Sequence, residues 1–205
     1  MTRCEVCGGT NVHVHVVPYY ETDLLGAPFS VVLESSVREE VCASCGGKLR
    51  TVVPDLDGLL HAVAVSRATM PRKLTGEEIR FLRSAIGLKA RQVAKQLDLR
   101  PEHLSRCENG TKTLSPLAEK WFRLFIWVKA LEKSLKERID MNSLRENIDI
   151  EKLFDMKIEA IWNPKDRIRL RFVHRRVHEL ERDLFENAPD ASQPDGKWEP
   201  KQIAA

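Results

Sequence analysis

Cys4-Glu5-Val6-Cys7-Gly8-Gly9 and Cys42-Ala43-Ser44-Cys45-Gly46-Gly47 are two copies of one short pattern, a Cys-x-x-Cys pair followed by two glycines. A two-residue gap lets both sulfurs of a pair face one ion, and four thiolates complete the tetrahedral shell that Zn²⁺ prefers. The glycine after each pair lets the chain bend back, so that backbone N–H groups point at the sulfurs. The pattern therefore predicts one structural zinc ion per chain, bound by Cys4, Cys7, Cys42 and Cys45.

Two other uses of paired cysteines explain the pattern less well. A disulfide framework is disfavoured because no apolar signal segment precedes Cys4, and reduced intracellular thiols bind metal in preference to forming cystine. A redox Cys-x-x-Cys motif does not explain two matched copies. Four cysteine ligands leave no open coordination position, so we expect the metal to hold the fold together and not to catalyse a reaction.

Charge is distributed unevenly along the 205 residues. Residues 1–66 carry four Lys/Arg against eight Asp/Glu (−4), residues 67–116 eleven against five (+6), and residues 117–205 eighteen against seventeen (+1). The middle segment is therefore the candidate for contact with a polyanion. No apolar run is long enough to cross a bilayer, since Arg123 interrupts the densest stretch. We expect a soluble, cytoplasmic protein.

Residues 1–66 are predicted to form a small β domain of zinc-ribbon type with a connecting helix. Valines and histidines alternate from Val12 to Val16, and residues 31–41 are rich in apolar side chains, which predicts two strands joined by a turn at 21–28. So few residues bury little core, and the metal should supply much of the folding energy. The spacing in 55–66 predicts the helix, and His13 and His15 are interpreted as solvent-facing.

The following segment predicts three short helices after a basic linker at 67–73. Thr75-Gly-Glu-Glu78 has the form of a capping box that opens the first helix, which Gly87 ends. A second helix is predicted from about Lys89 to Leu97, followed by a tight turn at Asp98-Leu99. The third runs from Pro101 to about Asn109-Gly110. Two short helices joined by so tight a turn describe a helix-turn-helix.

These residues carry a resemblance to a known family. The stretch Gly87-Leu88 … Val93-Ala94 … Leu97 … Leu104-Ser105-Arg106-Cys107-Glu108-Asn109-Gly110 resembles the Xre/lambda-repressor-like helix-turn-helix. Together with the paired cysteines, residues 1 to about 125 resemble the YgiT-type zinc-finger/helix-turn-helix proteins, the group that includes the MqsA antitoxins. Three further segments are similar to that family: 31–34, 54–59 and 74–83.

The chain departs from the family pattern at two positions. Ala90 stands where many Xre-type domains have a glutamine that supports phosphate and base contacts. Cys107 stands where an aromatic residue often lies. We interpret Cys107 as a small buried hydrophobic residue. The alternative is a redox-sensing thiol beside the DNA-facing surface, which would require exposure of the side chain.

The resemblance implies that the third helix enters a DNA major groove. Arg106 is then placed to donate two hydrogen bonds to guanine, with Glu102, Ser105 and His103 beside it at the bases. Glu102 has a second interpretation, as a carboxylate that stabilises the helix N-terminus. Arg83 and Glu108 are expected to form a buried structural pair. The phosphate contacts that the resemblance implies are Lys89, Arg91, Arg100, Asn109 and Lys112.

The C-terminal third carries weaker patterns. Apolar residues recur every three or four positions from Leu117 to Ile139, which predicts a helix that either pairs with a second copy or packs onto the zinc domain. Alternation in 167–172 predicts a strand with one basic face, and 173–185 returns to helical spacing. Residues 188–205, with three prolines, are expected to form a flexible tail.

These patterns lead to one overall expectation of fold. The chain is predicted to be mainly α, with a small β zinc-ribbon-like N-terminal domain (1–66), a lambda-repressor-like helix-turn-helix domain (67–125), a helical C-terminal extension (126–187) and a tail (188–205).

The predicted function is a homodimeric, sequence-specific DNA-binding transcriptional regulator, a repressor at a palindromic operator. The resemblance implies a further role as an antitoxin with a toxin protein as partner. The alternative is a protein-interaction module whose helix-turn-helix serves only as scaffold. An enzyme is not expected, because the sequence has no spare zinc ligand, no nucleophile–base pair and no glycine-rich phosphate loop.

Overall fold

Five strands and five helices make up the part of the chain that the structure, a computed structural model, describes: residues 3–22, 25–136, 156–158, 168–174 and 198–201. The strands are β1 (Val12–Glu21), β2 (Ser30–Cys42), β3 (Lys48–Val52), β4 (Arg169–His174) and β5 (Trp198–Pro200). The helices are α1 (Leu56–Thr69), α2 (Gly76–Ala85), α3 (Ala90–Gln96), α4 (Pro101–Glu108) and α5 (Pro116–Lys136).

The strands form one mixed sheet organised around β2. β1 pairs antiparallel with β2 from the Val12–Cys42 pair onward, with a register shift between Val17 and Tyr19. β3 pairs antiparallel with the C-terminal half of β2, and β4 pairs parallel with its N-terminal end. β5 extends the sheet by pairing antiparallel with β4. The thirteen-residue β2 therefore connects every part of the sheet.

The prediction of a mainly α protein is wrong, and with it the prediction of a lambda-repressor-like fold beside a small zinc ribbon. The chain is a mixed α/β protein in which strands come first and five of them share one sheet. The two predicted N-terminal strands are confirmed, but they are joined by strands from the far end of the chain. The physical reason is that a parallel pair such as β2–β4 needs a long crossover, so neighbouring residues do not indicate it.

The described residues divide into two compact units. Unit 1 contains the residues up to Thr22, Ser30–Leu59 and those from Arg169 onward, and unit 2 contains Leu25–Phe29 and those from Leu60 to Ile168. The boundary thus falls within α1, earlier than the predicted position 66. β4 and β5 belong to unit 1; β4 overlaps the strand predicted at 167–172, whereas β5 lies in 188–205, which was expected to form a flexible tail.

Unit 1 has an apolar core on one face of the sheet. Trp198 is 8% exposed, and its indole N–H donates to the Asp55 carbonyl at 3.0 Å. The predicted basic face of β4 lies on the opposite face, where Arg169 and Arg171 each contact a carboxylate of β1 or β2. Those contacts neutralise much of the positive charge of the two arginines. The core residues are Val31, Leu33, Leu170 and Phe172.

Unit 2 confirms the predicted series of short helices. The capping box of α2 is present: Glu78 N donates to Thr75 Oγ1 at 3.2 Å, and Thr75 N donates to the Glu78 carboxylate at 2.7 Å. Gly87 follows α2 with a φ of 73°, and Asp98 has the left-handed φ of 51° that the turn between α3 and α4 needs. Local chemistry therefore places these helix ends correctly.

Two arginines that are 0% exposed lie at the centre of unit 2. Arg67 donates to both carboxylate oxygens of Glu78, at 2.7 and 2.9 Å, and Arg123 donates to Glu119 at 2.7 Å. Arg67 thus belongs to the last turn of α1 and not to the basic linker predicted at 67–73. The two guanidiniums also bind backbone carbonyls at the end of α1 and in the segment that follows it, namely those of Ala68, Met70, Arg72 and Lys73.

α5 has apolar side chains on two faces. Phe122, Ile126 and Ala130 are buried, whereas Leu117, Trp121 and Val128 are 63%, 49% and 37% exposed. The end of this predicted helix at 137–139, and the helix predicted for 173–185 from residue 175 onward, lie outside the described residues. Within the described ranges, no helix has the length and apolar character needed to cross a membrane.

Candidate metal centre and nucleic-acid interface

Each cysteine pair occupies a tight turn closed by the same two backbone hydrogen bonds. Cys4 N donates to Gly9 O at 2.9 Å, and Gly8 N donates to Cys4 O at 2.8 Å. The second turn repeats this with Cys42 N to Gly47 O and Gly46 N to Cys42 O, both at 2.9 Å. Gly8 and Gly46 each have a φ of 70°, which an L side chain rarely adopts, so the glycine after each pair is required by the turn.

The two turns bring all four cysteine sulfurs into one cluster. Every Sγ lies within 4.8 Å of the other three, and the closest approaches are Cys4–Cys45 at 3.6 Å and Cys7–Cys42 at 3.5 Å. All four cysteines are free thiols. β1 begins and β2 ends at this cluster, because Val12 pairs with Cys42 and Ala43 N donates to Asn11 O at 3.0 Å. The cluster is therefore a candidate metal site at one end of the sheet.

The cysteine thiols of the cluster differ in their pKa values. The N–H groups of Cys45 and Ser44 lower the pKa of Cys42 to about 6, and those of Cys7 and Val6 lower the pKa of Cys4. The N–H of Gly47 also lowers the pKa of Cys45, but the sulfurs of Cys7 and Cys4 outweigh it and raise that pKa to about 12. Four thiolates this close repel one another, and a bound cation would remove that penalty. The donor set thus fits a metal ion.

The two histidines of β1 lie apart from the sulfur cluster, as the sequence analysis interpreted them. His15 Nε2 is 3.6 Å from a carboxylate oxygen of Glu39, and both His13 and His15 are exposed. Among the described residues, the four cysteines form the only group of three or more His, Cys, Asp or Glu side chains with metal-binding spacing.

The helix predicted to contact bases is α4, and its two faces differ sharply. Glu102, Ser105 and Arg106 are all exposed, and their three- and four-residue spacing places them on one face. His103 is half-buried, and its Nε2 lies 3.8 Å from the Sγ of Cys107, so its ring is turned toward its own helix. The opposite face is buried and consists of Leu104, Cys107 and Glu108.

Cys107 is the small buried residue that the sequence analysis expected. Its side chain is 0% exposed. Burial raises the pKa of the Cys107 thiol; the Lys112 charge acts in the opposite direction, and Glu108 adds to the increase. A thiol in that state is a poor nucleophile, so the geometry does not favour a redox-sensing role.

α4 is fastened to α2 by the predicted pair of Arg83 and Glu108, which the structure confirms. Arg83 Nε donates to Glu108 Oε1 at 2.6 Å and Nη2 to Oε2 at 3.2 Å, with side chains 15% and 8% exposed. Gly76 is required nearby, because an added Cβ would lie 2.4 Å from the Cys107 carbonyl oxygen. The outward face of α4 is thereby held in a fixed orientation.

Exposed cations are frequent in the segment that contains α4. Between Gly76 and Pro116, seven Lys or Arg residues are exposed against three exposed Asp or Glu residues. Four of the five predicted phosphate-contacting residues are among the seven: Lys89, Arg91, Arg100 and Lys112. The other three exposed cations are Arg80, Lys95 and the proposed base-contacting residue Arg106.

The fifth predicted phosphate contact, Asn109, is exposed and accepts a hydrogen bond from Arg80. This role of Arg80 was not predicted from the sequence. The available signal was its position one helical turn before Arg83, which puts both arginines on the face of α2 that meets α4.

The resemblance to the YgiT-type and Xre-type proteins stays a prediction. No family model matches the chain, and no curated protein or solved structure is similar to it.

Proposed function

We propose that this protein is a sequence-specific DNA-binding transcriptional regulator, a repressor, whose helix α4 enters the major groove. The observation that carries the proposal is the division of α4 into an exposed polar face and a buried face that Arg83 fixes to α2. A side chain discriminates bases only when its helix is held rigidly, because the hydrogen bonds must align with the base edge.

The proposed base contacts follow from the exposed face of α4. Arg106 donates two hydrogen bonds to O6 and N7 of guanine, which is the commonest specific contact in the major groove. Ser105 donates or accepts beside it, and Glu102 accepts from N4 of cytosine. His103 has a lesser part because its ring contacts Cys107.

The proposed phosphate contacts come from the exposed cations and from Asn109. They supply affinity and orientation without sequence information, and they release counterions from the DNA. The carboxylates of Glu78 and Glu108 do not oppose this, since each is buried against an arginine. The local positive charge therefore remains available to the polyanion.

We propose that the metal at the four cysteines is zinc, one ion per chain, with a structural role. A tetrahedron with Zn–S bonds of about 2.3 Å has edges of about 3.8 Å. The two closest Sγ–Sγ distances, 3.6 and 3.5 Å, lie near that value. Four thiolates fill the coordination shell, so no position remains for a substrate. Elemental analysis of unchelated protein tests the assignment, and a different stoichiometric metal would refute it.

We propose that the regulator acts as a homodimer on an imperfect palindrome. Leu117, Trp121 and Val128 form an exposed apolar stripe on α5, which suits a helix-to-helix contact between two copies. Two α4 helices would then occupy half-sites roughly 10–10.5 base pairs apart, centre to centre. Sedimentation with and without a selected duplex measures the stoichiometry.

The test of the proposed function is selection of duplexes from a random pool, followed by titration of variants against selected and random DNA. Arg106→Ala should cost about 1–3 kcal/mol per half-site on the selected duplex and relax preference at one base pair. Lys112→Ala should weaken both duplexes alike and lower the salt slope by about one. If Arg106→Ala weakens selected and random duplexes equally, α4 does not recognise sequence.

A second candidate is a protein-interaction module or antitoxin that neutralises a toxin protein. The observation that favours it is the exposure of apolar side chains in unit 1, with Val6, Val14 and Tyr19 exposed by 80%, 59% and 69%. Such residues suit a protein contact. In that case Val14→Ser and Tyr19→Ser would abolish partner binding, while Arg106→Ala would leave it unchanged.

A further inference from the structure

At the C-terminal end of α4, Arg80 takes part in contacts that were not predicted from the sequence. Arg80, on α2, donates from Nη2 to Oδ1 of Asn109, the residue that ends α4. Its Nε also lies 4.0 Å from Oε2 of Glu108, which Arg83 already binds at 2.6 Å. Two guanidiniums thus share one carboxylate, and a net charge of +1 remains at this end of the helix.

Arg80 has the exposure and the donors to bind an anion. Its side chain is 53% exposed, in contrast to 15% for Arg83. A guanidinium has five N–H donors, of which the contact with Asn109 uses one. Most of the donors of Arg80 therefore remain for a ligand outside the protein.

The same contact orients Asn109. A guanidinium can only donate, so the amide oxygen of Asn109 must face Arg80 and its NH2 group must face away. Lys112 is exposed in the same loop, where its backbone N–H and that of Thr111 both donate to the Arg106 carbonyl. Three donor groups thus lie around the C-terminal end of α4.

We propose that Arg80 contacts a DNA phosphate directly and positions Asn109 to contact one beside it; this inference rests on the proposed function. α4 has eight residues and is therefore about 12 Å long, close to the width of about 12 Å of the major groove. When the exposed face of α4 with Glu102, Ser105 and Arg106 meets the bases, the C-terminal end of the helix lies toward one DNA backbone. Arg80, Asn109 and Lys112 hold that backbone, and Lys89 and Arg100 hold the other.

The test measures the salt dependence of binding to one selected duplex for wild type, Arg80→Met, Arg80→Lys, Asn109→Ala and the double variant Arg80→Met/Asn109→Ala. Arg80→Met should lower the salt slope by about 0.9 and weaken binding about tenfold. Arg80→Lys should keep the slope, because the charge remains. Asn109→Ala should weaken binding about fivefold with an unchanged slope, since it removes a neutral donor.

The double variant separates positioning from independent contact. If Arg80 orients Asn109, the double variant should bind no more weakly than Arg80→Met alone; multiplied losses would refute the positioning role. Arg50→Gln, which removes one exposed charge from β3 in unit 1, is the matched control and should leave the slope unchanged.

Two outcomes overturn the inference in distinguishable ways. If wild-type protein binds the duplex and Arg80→Met keeps the wild-type slope, Arg80 makes no phosphate contact, while the proposed function stands. If wild-type protein shows no salt-dependent binding to any duplex, the proposed function is wrong and the inference falls with it. Melting temperatures of all variants should match wild type, because a half-exposed residue contributes little to stability.

Discussion

The two units of this protein are stabilised by opposite uses of charge. Unit 1 gathers four cysteine sulfurs at one end of its sheet, in an arrangement that fits a metal cation. Unit 2 buries two arginines and supplies the anions itself, through Glu78 and Glu119. On the proposed metal binding, unit 1 takes its cation from outside the chain, whereas unit 2 supplies both charges from its own side chains.

The sulfur cluster and the buried arginines also differ in which parts of the chain they hold in place. The sulfur cluster joins residues that are far apart in sequence at the point where β1 begins and β2 ends. The buried arginines instead bind carbonyls at the end of α1 and in the segment between α1 and α2, from Ala68 to Lys73. An arginine can satisfy several carbonyls at once because its donors are spread over a rigid plane.

Removal of the metal should produce the largest loss of stability among these predictions, and that loss should be confined to unit 1. Chelation, or Cys42→Ala, removes a contribution on the order of 10 kcal/mol. Hydrogen exchange should show loss of protection in residues 3–12 and 41–48, while unit 2 keeps its protection. The apolar end of the sheet, around Leu33 and Phe172, should lose less because it has its own core.

A matched cysteine variant controls this prediction. Cys107→Ala also removes a buried thiol, but from unit 2, and should leave the metal content at that of wild type. Equal loss of protection in both units after chelation would contradict the independence of unit 2 from the metal.

Breaking the buried pair of Arg123 and Glu119 should have the next largest effect, now in unit 2. Arg123→Met should cost about 3–5 kcal/mol, because Glu119 stays charged in a site where it is 1% exposed. Glu119→Gln in the same chain should recover part of that loss, since an amide oxygen still accepts from Leu74 N without a charge. Denaturant unfolding of unit 2 measures both values, and no recovery in the double variant would argue against a stranded charge.

A smaller loss of stability is expected from breaking the pair of Arg83 and Glu108, whose side chains are less fully buried. Glu108→Gln should destabilise unit 2 by about 2 kcal/mol, between the values typical of buried and of surface pairs. The reason is that Arg83 is 15% exposed and can recover some hydration. A loss as large as that of Arg123→Met would show that exposure does not set the cost of breaking these pairs.

The sequence predicted the parts of the structure that local chemistry determines. The cysteine spacing predicted the cluster, Thr75 and Glu78 the start of α2, and Asp98 the turn before α4. Each of these depends on a few neighbouring residues. The pair of Arg83 and Glu108 was predicted from the family resemblance and not from spacing.

The remaining features depend on partners far apart in the chain. The parallel pairing of β4 with β2 joins Phe172 to Leu33, and no local pattern indicates which strand lies beside which. Arg67 was interpreted as part of a basic linker because its partner, Glu78, is eleven residues away in another helix. Arg123 interrupts an apolar stretch, and its i,i+4 relation to Glu119 was the one available signal of a buried pair.

The smallest loss of stability is expected from breaking the pair of Lys129 and Glu132. This pair allows an exposed and a buried ion pair to be compared within one helix. Both this pair and that of Glu119 and Arg123 lie on α5 at helical spacing, so the sequence pattern treats them alike. Lys129 and Glu132 are 34% and 53% exposed, and water screens their attraction. Glu132→Gln should therefore change the stability of unit 2 by less than about 0.5 kcal/mol in the denaturant experiment that detects the loss from Arg123→Met. If the two variants cost the same, burial does not distinguish the pairs, and the central role of the buried arginines in unit 2 is refuted.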